Sequence, residues 1–137
     1  MDNGKIFIDS SHTTLYGSES NNEYEIIHRS FPSELTKIFC NNPMTMHNNA
    51  PQHFTVRNIA DNNVVGEVIF KDESLKKLDG LADEELILML IARLRYFQRS
   101  KYACTENESA ICALTSALYA LKESVNKRKR MSIEDID

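Results

Sequence analysis

The chain lacks most of what would mark a membrane, secreted or catalytic protein. No apolar run reaches the ~18 residues that a membrane-spanning helix needs. The start, MDNGKIFIDSS, has neither the basic nor the apolar region of a signal peptide. Cysteine is scarce: Cys40, Cys104 and Cys112 are odd in number and form no CxxC pair. That usage points to reduced thiols and a cytosolic compartment. The glycine patterns of a dinucleotide fold or a P-loop are missing, as is any HxxxH or HExxH spacing among His12, His28, His47 and His53. Cys40, His47 and His53 are irregularly spaced in an Asn-rich stretch and read as solvated side chains rather than a metal site. Ser10-Ser11-His12 has no glycine-framed elbow to present a nucleophile. Paired acids fall at helix starts and in the tail, where capping and solvation account for them. A binding protein is therefore favoured over an enzyme, and no cofactor or metal is expected.

What is present fits one domain of 137 residues with a modest core. A net charge of −4 gives the whole chain no bulk attraction for a long nucleic acid. The cations are clustered all the same. Arg93, Arg95, Arg99 and Lys101 lie in a stretch without acids, and Lys127 to Arg130 form a second group. Local basic patches on an acidic protein suit a small anionic ligand.

The chain divides near residue 80. KIFIDSS and EYEIIHRSF are strand candidates, and FTVRNIADNNVVGEVIF reads as a hairpin turning at Asp61, Asn62 and Asn63. CNNPMTMHNNAPQH reads as a loop. After Gly80 the pattern is helical, from about Ala82 to Ser100, with acids first and arginines last, as the helix dipole favours. Leu86 to Ala92 are apolar without a break, more than one buried stripe requires. Thr105-x-x-Glu108 matches a capping box for a second helix reaching about Arg130. Ile111, Leu114, Leu118, Leu121 and Val125 give it a heptad-like seam. The expected fold is α+β: a small antiparallel β region over 1–80, an antiparallel helical hairpin over 81–130, and a frayed acidic tail over 131–137. The surplus apolar surface of the first helix predicts a homo-oligomer built through the helices.

Between the two helices stands RYFQRSKYACTEN, a connection without glycine or proline. A helix start at Thr105 offers free N–H groups to an anion, beside Arg95, Arg99 and Lys101. Tyr96, Phe97 and Tyr102 offer flat faces for a base. Asn107 carries a donor and an acceptor able to read a base edge. Each has a plainer reading. Phe97 follows Leu90 and Leu94 at core spacing, the arginines can form a solvated face, and Asn107 can serve the cap.

The stretch LRYFQRSKYACTENESAICALTSALYAL resembles the helical-hairpin signature of two kinds of phage immune-evasion protein, the Thoeris anti-defence sponge and the anti-CBASS cyclic-nucleotide sponge. Arg93, Leu94, Phe97, Gln98, Tyr102, Ala103, Cys104, Glu106 and Asn107 carry the resemblance, which covers about residues 84–128. The β region before the hairpin favours the Thoeris kind. The resemblance implies a non-enzymatic trap for a cyclic ADP-ribose isomer or other cyclic nucleotide in the host cytoplasm. It also implies assembly into dimers or hexamers and ligand contacts through Phe97 and Asn107. Family members often carry an arginine where this chain has Ser124, so the phosphate contact falls to another cation. Lys122, Lys127 and Arg128 are the near alternatives, and Arg29 and Arg57 on the β segments are candidates from charge alone. The candidate ligand residues are thus Phe97, Asn107, Arg95, Arg99, Tyr102, Arg128, Arg29 and Arg57.

Overall fold

A computed structural model describes the backbone of residues 5–10, 13–17, 22–28, 33–41, 50–71 and 79–136, and the side chains from residue 22 to residue 131 within those ranges. Six strands come first: β1 (Lys5–Ser10), β2 (Thr13–Gly17), β3 (Glu23–His28), β4 (Thr36–Asn41), β5 (His53–Asn58) and β6 (Val64–Ile69). Two helices follow, α1 (Asp83–Phe97) and α2 (Thr105–Ile136). The fold is α+β, as the sequence pattern predicts. The chain forms two compact units, 1–81 and 82–137.

The first unit is an antiparallel meander in which each strand pairs with the next in sequence. Tyr24 on β3 lies opposite Cys40 on β4, and Cys40 opposite Phe54 on β5. Alternation puts all three on one face. Tyr24 and Cys40 are fully buried there, packed against Ile26 and Phe54. Phe70 closes edge-on against Phe54 with ring centroids 5.5 Å apart. Burial pushes the Cys40 thiol up to about 11, so it is a neutral core side chain. The expected loop over 40–53 is therefore shorter than its composition suggested, since Cys40 and Asn41 end β4 and His53 begins β5. Asn41 ties the two strand ends by accepting from the backbone N–H groups of Gln52 and His53, at 3.0 and 3.1 Å.

The β5–β6 hairpin turns where its Asp and Asn residues predict. Asn62 has φ 61°, a left-handed conformation that asparagine tolerates. Asn58 and Asp61 accept from the N–H groups of Ala60 and Asn63, at 2.8 and 3.0 Å. After β6 the chain returns to form a parallel bridge between Phe70 and Leu81. Gly80 is needed there, because a Cβ at that position would stand 2.5 Å from the Phe70 carbonyl carbon.

The second unit is the expected helical hairpin. The Ala82 N–H donates to the Glu85 carboxylate at 2.8 Å and the Glu85 N–H donates to the Ala82 carbonyl at 3.1 Å, which closes the start of α1 without a capping side chain at Ala82. The seam centres on Ile91 of α1 and Ile111 of α2, both buried. Leu114, Leu118, Leu121 and Val125 continue it half-buried. Leu88 and Met89 remain 51% and 54% exposed in the chain. α2 passes the expected end at Arg130 and includes the backbone to Ile136, because neither glycine nor proline intervenes to stop it.

Candidate functional site: the turn between the helices

The connection from Phe97 to Thr105 is held by one side chain. Gln98 Oε1 accepts from the backbone N–H of Cys104 at 3.0 Å, and Gln98 Nε2 donates to the Cys104 carbonyl at 2.9 Å. The amide thus pairs with both backbone groups of one residue, as a neighbouring strand would. Nε2 also donates to Glu108 at 3.2 Å. The Thr105/Glu108 box expected from the sequence gives way to this arrangement: Glu108 holds Gln98 instead. Ser100 supports the rest, donating to the Phe97 carbonyl at 2.6 Å and accepting from the Tyr102 N–H at 3.0 Å. The tight backbone bonds Arg99 to Tyr96, Ser100 to Phe97 and Ala103 to Ser100 complete the turn. None of its residues has a positive φ, which is why no glycine is required.

Asn107 joins this network. Its Nδ2 donates to Gln98 Oε1 at 2.9 Å and to the Tyr102 carbonyl at 3.1 Å. The amide orientations follow from the backbone. The Cys104 N–H can only donate, which fixes Gln98 Oε1 on that side and in turn obliges Asn107 to present its NH2. Both donors of Asn107 are engaged within the turn, leaving the carbonyl Oδ1 to accept from a ligand. The plain reading of Asn107 as a support for the helix start and the reading as a ligand contact thus coexist.

Aromatic rings and cations surround this amide core. Phe97 and Tyr102 meet edge to face, 6.3 Å between centroids and 81° between planes. The Arg93 guanidinium lies 5.0 Å from the Phe97 centroid, Arg99 5.7 Å from Tyr96, and Lys101 5.3 Å from Tyr102. Each is a cation–π contact that keeps positive charge at a ring face. Phe97 is half-buried and sits at the tip of the hairpin, beyond the Ile91–Ile111 core. Arg95 is exposed and makes no ion pair or ring contact among the described residues. Glu106 and Glu108 occupy the first turn of α2, so the helix start already has carboxylates for its dipole. Positive charge for an anion comes from the four cations rather than from the helix end.

The structure thus brings together Phe97, Tyr102, Asn107, Arg95 and Arg99, with Arg93 and Lys101. Arg128 is exposed far along α2, 21 residues after Asn107, or about 30 Å of helix rise. It does not reach the turn of its own chain. Arg57 lies in the sheet unit, where Nη1 and Nη2 pair with the two Glu23 oxygens at 2.8 and 2.6 Å. Its guanidinium also covers the Phe39 ring at 4.3 Å. The Arg57 hydrogen bonds hold the Glu23 carboxyl below its usual value. Arg29 lies outside the described residues. His53 Nε2 meets Glu67 at 2.5 Å, and no metal-binding group of histidine, cysteine and acids occurs among the described residues.

The residue the motif reading undervalued is Gln98. The signal was available: a turn without glycine or proline exposes backbone groups, and Gln98 is the uncharged amide at its entrance.

The second unit of this small α+β protein is thus a helical hairpin with an amide-locked tip, ringed by aromatic and cationic side chains. Among known proteins, the chain is similar to Thoeris anti-defense 1 of Bacillus phage SBSphiJ7, at 27% identity over 135 aligned residues. That match takes in 80% of this chain and 95% of the relative, so the likeness runs well beyond the hairpin. The resemblance to the Thoeris anti-defence family read from the turn motif is borne out. No family model matches the chain.

Proposed function

We propose that this protein counters Thoeris-type defence as a non-enzymatic sponge, which binds and sequesters a cyclic ADP-ribose-type signalling nucleotide in the host cytoplasm. The observation that carries this reading is the Gln98–Asn107 network, in a relative of a phage protein named for anti-Thoeris action. It holds Asn107 Oδ1, the Phe97 and Tyr102 rings and the cations at one tip. A cyclic ADP-ribose isomer offers the matching parts: a base for the rings, an amino group for Oδ1, and a pyrophosphate for Arg95 and Arg99. Binding and release of the intact molecule need no general acid, base or nucleophile. Titration of purified protein with such an isomer tests the reading. Wild type binds, and Phe97→Ala and Asn107→Ala each weaken binding by about 1–3 kcal/mol while remaining folded. Equal affinity of all three proteins contradicts it.

The sponge is an oligomer in this reading. The support is the exposed apolar face of α1 at Leu88, Met89 and Leu90. A hairpin that serves only to assemble copies is the second reading, and it predicts that no signalling nucleotide is retained.

A further inference from the structure

The exposed side of α1 is ordered as well as apolar. Glu85, Leu88, Ala92, Tyr96 and Arg99 follow one another at spacings of three, four, four and three, so they share one face of the helix. All five are exposed, Leu88 by 51% and Tyr96 by 70%. Met89 stands beside Leu88 and is 54% exposed. Arg99 lies just past the end of α1, and its guanidinium stays over the Tyr96 ring at 5.7 Å, on this same face. Ala92 is about 100° round the helix from Ile91, which is buried in the seam, and Phe97 is about 120° from Ile91 the other way. This face is therefore neither the one that packs on α2 nor the one that bears Phe97.

The face is complementary to itself under reversal. Ala92 is its centre. Leu88 and Tyr96 stand four residues to either side, Met89 and Arg95 three, and Glu85 and Arg99 seven. Reversal of a second α1 about Ala92 brings each member of these pairs opposite the other. Leu88 then meets the second copy's Tyr96, and Met89 lies along the aliphatic stem of the second copy's Arg95. Glu85 meets the second copy's Arg99, about 10 Å along the helix from the centre, and symmetry repeats every pair at the other end. Glu85 can serve both its cap and this pair, since the Ala82 N–H occupies Oε1 and leaves Oε2 to accept. Arg99 has five N–H donors, so a carboxylate on one edge leaves others for a ligand anion. The small Ala92 side chain at the centre lets two helices approach to about 8 Å.

We propose that this face binds a second copy of the chain, with α1 packed antiparallel on its counterpart about a two-fold axis at Ala92. The proposal rests on the oligomeric form of the sponge and names the surface and register of one of its contacts. The antiparallel arrangement sends the two turns to opposite ends of the helix pair, and the Phe97 side of each α1 stays clear of the contact.

Sedimentation of wild type, Ala92→Glu, Ala92→Lys and an equal mixture of the two variants is the test. A residue on the axis meets its own copy. Glutamate therefore faces glutamate and lysine faces lysine in the separate variants, whereas glutamate faces lysine in the mixture. Each variant alone is expected to associate at least about tenfold more weakly than wild type, with its helical circular dichroism unchanged. The mixture is expected to regain the wild-type mass, with both chains in equal amounts. The proposal is overturned if the wild type is a monomer, if either variant alone keeps the wild-type mass, or if the mixture stays dissociated. Retention of a cyclic ADP-ribose isomer is read separately on the wild type. Loss of retention with restored association in the mixture counts against the sponge and upholds the contact. Full retention with Ala92→Glu still at the wild-type mass does the reverse.

Discussion

Gln98 makes four hydrogen bonds within the turn, to both backbone groups of Cys104, to Asn107 and to Glu108. Gln98→Ala removes them together. Water reaches the exposed Cys104 groups, so the cost is modest, about 1–3 kcal/mol of stability. The larger effect falls on binding, since Asn107 then loses the partner that fixes its orientation. Urea unfolding and ligand titration on the same variant separate the two effects, and unchanged values in both contradict the role assigned to Gln98. Glu23 provides a second test at this scale. Its carboxyl titrates below the usual 4.5 because of the Arg57 hydrogen bonds. Its stabilising contribution is complete above that usual value and is lost as pH falls through the lowered folded value. Glu23→Gln should flatten the acid limb of the stability profile as pH falls below the usual 4.5. An acid limb identical to that of wild type counts against the Glu23–Arg57 pair. The residue scale was partly legible in the sequence. Ring and charge types identified the cluster, and the family resemblance singled out Phe97 and Asn107 within it. That Asn107 spends both donors internally was not legible, because it depends on a backbone path that nothing in the residue types announces. Arg57 illustrates the same limit, since its partner Glu23 lies 34 residues away and two strands over.

At the scale of elements, the helices and four of the six strands could be read from sequence, and two strands could not. α1 and α2 announce themselves through apolar spacing and charge order, which are local. β5 and β6 carry β-branched runs around a turn-forming Asn. β2 (TTLYG) and β4 (TKIFCN) are short and lack a clear alternation, and pairing partners rather than their own residues make them strands. The bridge after β6 shows the same non-local control. Gly80 looked like a simple boundary before a helix, but the space for its Cβ is taken by the backbone at Ile69, Phe70 and Lys71. Gly80→Ala should cost about 1–3 kcal/mol, because backbone atoms cannot move aside as a side-chain tip can. A melting curve unchanged from wild type contradicts that close approach.

For the molecule as a whole, exposure of apolar surface is the main clue to assembly. Leu88, Met89, Leu90 and Tyr96 lie on α1 with much of their surface free. Such a face on a chain of 15.7 kDa is expected to be covered by other copies. Sedimentation at micromolar concentration should give a species well above the monomer mass, and Leu88→Glu with Met89→Glu should return it to the monomer. A wild-type monomer contradicts the assembly. No helix among the described residues is long and apolar enough to cross a membrane. The anti-defence reading stands or falls on whether the chain holds a signal without altering it. Incubation with a cyclic ADP-ribose isomer, removal of the unbound fraction, heating and chromatography of the released small molecules measure this directly. The account predicts that wild type depletes the isomer and returns it chemically intact on heating, while Phe97→Ala with Asn107→Ala leaves it in solution. Recovery of a cleaved product, or no depletion by the wild type, contradicts it.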